Sequence, residues 1–123
     1  MVGELEGSPF VDWTVLESLR GLQGEGQPSL VAELVQLFIS DTPMRLDAIR
    51  QAVGRRDPDA LAFAAHTLKG GCATLGATRM RDLSLGLEQL GRAGGTDGAP
   101  ELLVALDAAF GVTRATLERG DPG

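Results

Sequence analysis

The chain is 123 residues long, the size of one domain, and 43% of it is hydrophobic, enough to bury a real core. A formal net charge of −6 excludes a surface able to neutralise a row of phosphates, so neither nucleic acid nor an anionic membrane is an expected partner. A single cysteine excludes an internal disulfide and supplies no zinc ligand set.

Four Phe, one Trp and no Tyr leave the core to Leu, Val, Ile and Ala, a composition that suits helices. No apolar run approaches the roughly 20 residues of a membrane span. The first residues, MVGELEGSPF, are acidic and lack the basic and apolar regions of a signal peptide, so a soluble cytoplasmic protein is expected. Met1 and the short tail point to a stand-alone chain.

Five helices are predicted. The first is short, from about Asp12 to Leu22, with Asp12 as N-cap and Trp13, Leu16 and Leu19 on its buried face. Residues 21–28 form a Gly-rich connector. The second helix runs from Pro28 or Ser29 to Val53, with Leu30, Leu34, Leu37, Phe38, Met44, Leu46, Ile49 and Val53 as its apolar set. Pro43 lies inside it, and its missing N–H predicts a kink or a short break.

Asp57-Pro58 opens the third helix, which continues to Leu75 and stops at Gly76. The fourth runs from about Thr78 to Ala93, with a core stripe of Met80, Leu83, Leu87 and Leu90. A Gly-rich loop over 94–99 leads to the fifth, from Pro100 to about Arg119, and residues 120–123 are expected to fray. No alternating strand pattern is present. The pattern reads as one all-α domain over 1–123: an antiparallel up-down four-helix bundle, core about 28–119, with a short additional N-terminal helix over about 12–22.

The one histidine, His66, sits in the third helix. At about 100° per residue, Leu61, Ala64, Ala65, Leu68, Cys72 and Leu75 share one direction and His66 points about 140° away. An outward imidazole is therefore expected, with Cys72 a small core residue. Lys69 is three positions on and Gly70 four, so both lie along the same face. Glycine there costs about 1 kcal/mol relative to alanine, but it removes bulk beside the ring. Lys69 is placed to meet an anion attached to His66. A neutral imidazole is a good nucleophile, and a hydrogen bond at its other nitrogen orients it. Glu88, about 80° off the core stripe of the fourth helix, is placed on a flank with Leu85 and Arg92. Nothing in the sequence accounts for Gly71.

The stretch His66-Thr67-Leu68-Lys69-Gly70, with Gly76 ten positions after the histidine, resembles the signature of histidine-containing phosphotransfer (HPt) domains. The resemblance extends over nearly the whole chain: Leu37-Phe38-Ile39, Asp41-Thr42-Pro43, Asp57 and Leu87-Glu88 all fall where the family has related residues. Gly71-Cys72 departs from the Ser-Ala pair frequent there. The resemblance implies a four-helix bundle that takes a phosphoryl group on His66 from a histidine kinase or a receiver phosphoaspartate and passes it to a receiver aspartate. It implies no nucleotide site and no cofactor on this chain, the divalent metal residing on the receiver. Lys69 would offset phosphoryl charge, Gly70 would admit the partner, and Glu88 would hydrogen-bond the histidine, as Glu does in chemotaxis-kinase phosphotransfer domains and Gln in many relay domains. Ala62, Phe63, Ala73, Leu85 and Arg92 are the expected docking residues, histidine kinases and response regulators the partners, and a monomer the expected state. A binding module without phosphotransfer is the alternative. A metal-assisted hydrolase is disfavoured, since one His, one Cys and no H-E-x-x-H pattern give it no site.

Overall fold

The structure, a computed structural model, describes residues 9–22 and 29–120; the N-terminal residues, part of the first connector and the last three residues lie outside that description. The described residues form five helices and no strand: α1 (Trp13–Arg20), α2 (Leu30–Gly54), α3 (Pro58–Leu75), α4 (Thr78–Arg92) and α5 (Ala99–Arg119). None of them is long and apolar enough to cross a membrane.

The helix starts follow from side-chain oxygens placed to accept orphan backbone N–H groups. Asp12 accepts from Thr14 N at 3.0 Å, Ser29 from Ala32 N at 3.1 Å and Asp57 from Ala60 N at 3.1 Å. At the end of α3, Gly76 adopts a left-handed φ of 73°, and Ala77 N donates to Cys72 O at 2.9 Å. The Gly76 carbonyl then accepts from Asp12 N at 2.7 Å, which ties the start of α1 to the end of α3. A Cβ on Gly76 would lie 2.6 Å from Asp12 O, so both the turn and the neighbouring chain demand glycine.

The long helices close a ring: α2 packs on α3, α3 on α4, α4 on α5 and α5 back on α2, while α1 lies against α2 and α3. Leu16, Ile49, Leu61, Leu68, Met80, Leu87 and Leu106 are its largest fully buried apolar side chains. Leu61, Ala65, Leu68, Cys72 and Leu75 of α3 face inward, with Ala64 half-buried at the edge. Burial pushes the Cys72 thiol up to about 12, so it stays protonated and acts as a small apolar filler.

Three expectations from the sequence are corrected. First, of the kink or short break expected at Pro43 there is no break: α2 runs continuously from Leu30 to Gly54 through it, with Pro43 itself exposed. Second, the buried stripe of α2 is Val31, Val35, Phe38, Ile39, Thr42, Leu46, Ile49 and Ala52. Leu37 and Met44, members of the apolar set, are 55% and 70% exposed. They are seven residues apart on one line, roughly 140° or more from that stripe. Third, the buried face of α4 is Met80, Ser84, Leu87, Glu88 and Gly91, with Leu83 and Leu90 as half-buried flanks. Small residues at 84 and 91 mark the line along which α4 turns inward, and an apolar count misses them. At Gly91 a Cβ would lie 2.5 Å from Pro58 O and 2.7 Å from Ala62 N. The end of α4 thus meets the start of α3, with the two helices antiparallel and nearly in backbone contact there.

Candidate functional site

His66 projects from the middle of α3 with 59% of its side chain exposed, while Ala65 and Leu68 beside it are completely buried. Its ring is fixed from α4. His66 Nδ1 lies 3.1 Å from Glu88 Oε2. The other carboxylate oxygen, Oε1, is 2.7 Å from Lys69 Nζ. Arg92, one turn beyond Glu88, brings Nε and Nη2 each to 2.8 Å from Oε2. One carboxylate therefore gathers an imidazole, an ammonium and a guanidinium.

Glu88 is only 5% exposed, so it is not the surface carboxylate that its position on the helical wheel suggests. Its cover is local: the long side chains bonded to it lie over it. The Lys69 ammonium does most to hold the Glu88 carboxyl down at about 2; desolvation works against this, and Arg92 and His66 add to the lowering. Glu88 is thus ionised at neutral pH. An ionised carboxylate only accepts, so Nδ1 is the donor in the contact with His66. That leaves Nε2 of a neutral ring with its lone pair, and among the described residues no hydrogen bond occupies it.

Lys69 is 27% exposed and its Nζ rests on Glu88 rather than reaching into solvent. Gly70 is exposed, and beyond its own stretch of helix a Cβ built on it meets no described atom within 4 Å. Its lack of a side chain therefore answers no packing need within this protein.

The residues expected to dock a partner separate. Phe63 is 76% exposed, and Ala73 is exposed on the same helix. Leu85 is 38% exposed on α4. Ala62, by contrast, is half-buried and turned to Gly91, whose hypothetical Cβ would lie 2.9 Å from its own. It is a helix-packing residue. Arg92 is exposed along its length, but its guanidinium is committed to Glu88. Two apolar residues of α2, Leu37 and Met44, are exposed as well and are not among the expected docking residues. Met44 and Phe63 line one depression between α2 and α3, and Leu37 and Gly71 line another. Their seven-residue spacing was the available signal for Leu37 and Met44.

The described residues are thus all helical where they are ordered into elements, with the one imidazole turned outward and held through Nδ1 by an ionised carboxylate on the next helix. Residues 33–116 match the Hpt domain family model, and the chain belongs to that family. It is 28% identical over 105 residues to histidine-containing phosphotransfer protein 5 of Arabidopsis thaliana, a match covering 81% of this chain and 66% of that protein. It is 30% identical over 106 residues to the signal transduction histidine-protein kinase BarA of Escherichia coli K12, covering 85% of this chain and 11% of the kinase. The chain thus spans just under two thirds of the plant protein and a small part of the kinase. The crystal structure of histidine-containing phosphotransfer protein B from Pseudomonas aeruginosa PAO1 superposes with a TM-score of 0.80 at 29% identity, covering 90% of this chain and 93% of that one.

Proposed function

We propose that this chain is a phosphocarrier of a two-component phosphorelay, with His66 Nε2 as the phosphoryl acceptor. The observation that carries the proposal is the 3.1 Å contact between His66 Nδ1 and the ionised Glu88, which leaves Nε2 as the nucleophile. The donor is a receiver phosphoaspartate or a phosphorylated histidine kinase. The Nε2 lone pair forms the N–P bond as the bond from phosphorus to the donor breaks, and the leaving group departs with that electron pair. The Nδ1 proton stays between the ring and Glu88, whose charge offsets the positive charge gained by the ring. A receiver aspartate then takes the phosphoryl group by the reverse of these events.

Lys69 sits within one turn of His66 and supplies charge for the phosphoryl oxygens, while Gly70 admits the partner's active site. Phe63, Ala73 and Leu85, joined by Leu37 and Met44, form the surface for kinase and receiver. The divalent ion and most of the electrostatic stabilisation come from the receiver, so the chain works without a nucleotide site or cofactor of its own. On this reading the chain is a single-domain antiparallel four-helix bundle that acts as a cytoplasmic monomer.

The test is transfer of acid-labile phosphate from a charged histidine kinase or phosphorylated receiver. Wild type should be labelled and His66→Gln should not. Full labelling of His66→Gln overturns the site, and binding of partners without any labelling of wild type turns the reading to a docking module.

A further inference from the structure

Glu88 must serve two cations that cannot both stay. Lys69 and His66 share α3, one turn apart, whereas Arg92 shares α4 with Glu88. A phosphoryl group on Nε2 adds up to two negative charges beside Lys69. The ammonium on its flexible stem is the cation able to turn to them, and to do so it leaves Oε1 of a carboxylate that is 5% exposed. Without another cation, that carboxylate would be stranded, nearly buried, with the imidazole alone. Arg92 prevents this. Its Nε and Nη2 both contact Oε2, the same oxygen that meets His66 Nδ1, and its planar fork holds a geometry that a lysine does not.

We infer that Arg92 is a positioning residue, the standing counterion that keeps Glu88 against His66 while Lys69 moves from Glu88 to the phosphoryl group. The inference rests on His66 being the acceptor. The role differs from the docking contact expected of Arg92, because here the residue acts through Glu88.

The experiment uses potassium phosphoramidate as donor, with no protein partner present. The Nε2–P bond forms as the P–N bond of the donor breaks, and ammonia leaves with that electron pair. Labelling of wild type, Arg92→Gln, Arg92→Lys, Lys69→Gln and the Arg92→Gln/Lys69→Gln double variant is followed by intact mass. Arg92→Gln should label about fivefold more slowly, Arg92→Lys should recover part of the loss, and the double variant, which leaves Glu88 with no cation, should be slower than either single variant. Labelling of Arg92→Gln at the wild-type rate, or a double variant no slower than Lys69→Gln, would overturn the inference. A second readout does not depend on phosphorylation. Imidazole ¹⁵N shifts should show Nδ1 protonated in wild type and a smaller share of that tautomer in Arg92→Gln. If wild type is never labelled at His66, the acceptor reading fails, and an unchanged ¹⁵N spectrum in Arg92→Gln then removes the positioning role as well.

Discussion

Gly91 and Ala62 bring α4 and α3 so close that a single added carbon on Gly91 would sit 2.7 Å from the Ala62 amide nitrogen. That contact lies one turn from both Glu88 and His66. It sets how far α4 rolls toward α3, and with it the depth at which the Glu88 carboxylate meets the imidazole. The site is therefore positioned by helix packing beneath it as much as by its own hydrogen bonds.

Gly91→Ala should accordingly be destabilising, although alanine is the better helix former by about 1 kcal/mol. The new methyl meets backbone atoms of Pro58 and Ala62, which have no rotamer by which to retreat. Overpacking of this kind costs about 1–3 kcal/mol. Urea unfolding checks the stability. The His66 ¹⁵N spectrum should also move toward a mixture of tautomers as Glu88 is pushed away. A variant as stable as wild type, with an unchanged spectrum, would mean that the helices slide apart at no cost.

The depressed Glu88 carboxyl predicts a pH dependence of stability. Its value in the folded chain is about 2 against an ordinary 4.5, so the folded state binds this proton less readily than the unfolded chain does. The stabilisation is fully present above about pH 4.5 and is lost as the pH falls toward about 2. Glu88→Gln removes this contribution. Its unfolding midpoint should fall less steeply than that of wild type across that window, so the two curves converge in acid. Parallel curves from pH 5 to pH 2 would show that the Lys69 and Arg92 contacts give the folded state no preference for the charged carboxylate.

Much of this arrangement was legible in the sequence, because its signals were local. Asp12, Asp57-Pro58 and Gly76 marked helix ends by cap chemistry that needs no tertiary partner. The apolar spacing of α3 alone was enough to turn His66 outward. What the sequence hid was set between helices. Glu88 reads as a flank residue when Met80 and the leucines of α4 define the core stripe; Ser84 and Gly91, which carry little hydrophobicity, are buried on that face with Met80 and Leu87. Ala62 read as outward for the same reason, since nothing within α3 announces the glycine that covers it. Leu37 and Met44 show the converse: they belong to the apolar set of α2 and are exposed, as large apolar side chains on a surface often are. Pro43 predicts a kink or a short break from its own chemistry, yet the helix continues through it.

Cys72 should behave as a sealed residue. It is fully buried, and its thiol is pushed up to about 12, so almost no thiolate is present at neutral pH. Alkylation by iodoacetamide at pH 8 should proceed only through opening of the fold, and should accelerate sharply above the urea midpoint. Rapid modification of the native chain would mean that the end of α3 opens far more readily than its packing implies.

Gly70 and Gly71 separate stability from recognition. Beyond its own stretch of helix, neither places a hypothetical Cβ within 4 Å of a described atom, so alanine at either position should raise stability, by up to about 1 kcal/mol. Function should part the two residues. Gly70 lies on the His66 face, one turn beyond the ring, and Gly71 opens toward the depression that Leu37 also lines. Gly70→Leu should fold at least as stably as wild type, yet transfer from a phosphorylated receiver should slow at least tenfold, because the added side chain stands where the partner's active site must approach. Labelling by phosphoramidate, a donor small enough to pass a leucine, should stay near the wild-type rate. Equal loss with both donors would place the damage in the imidazole itself, and equal retention would show that the clearance at Gly70 serves no partner.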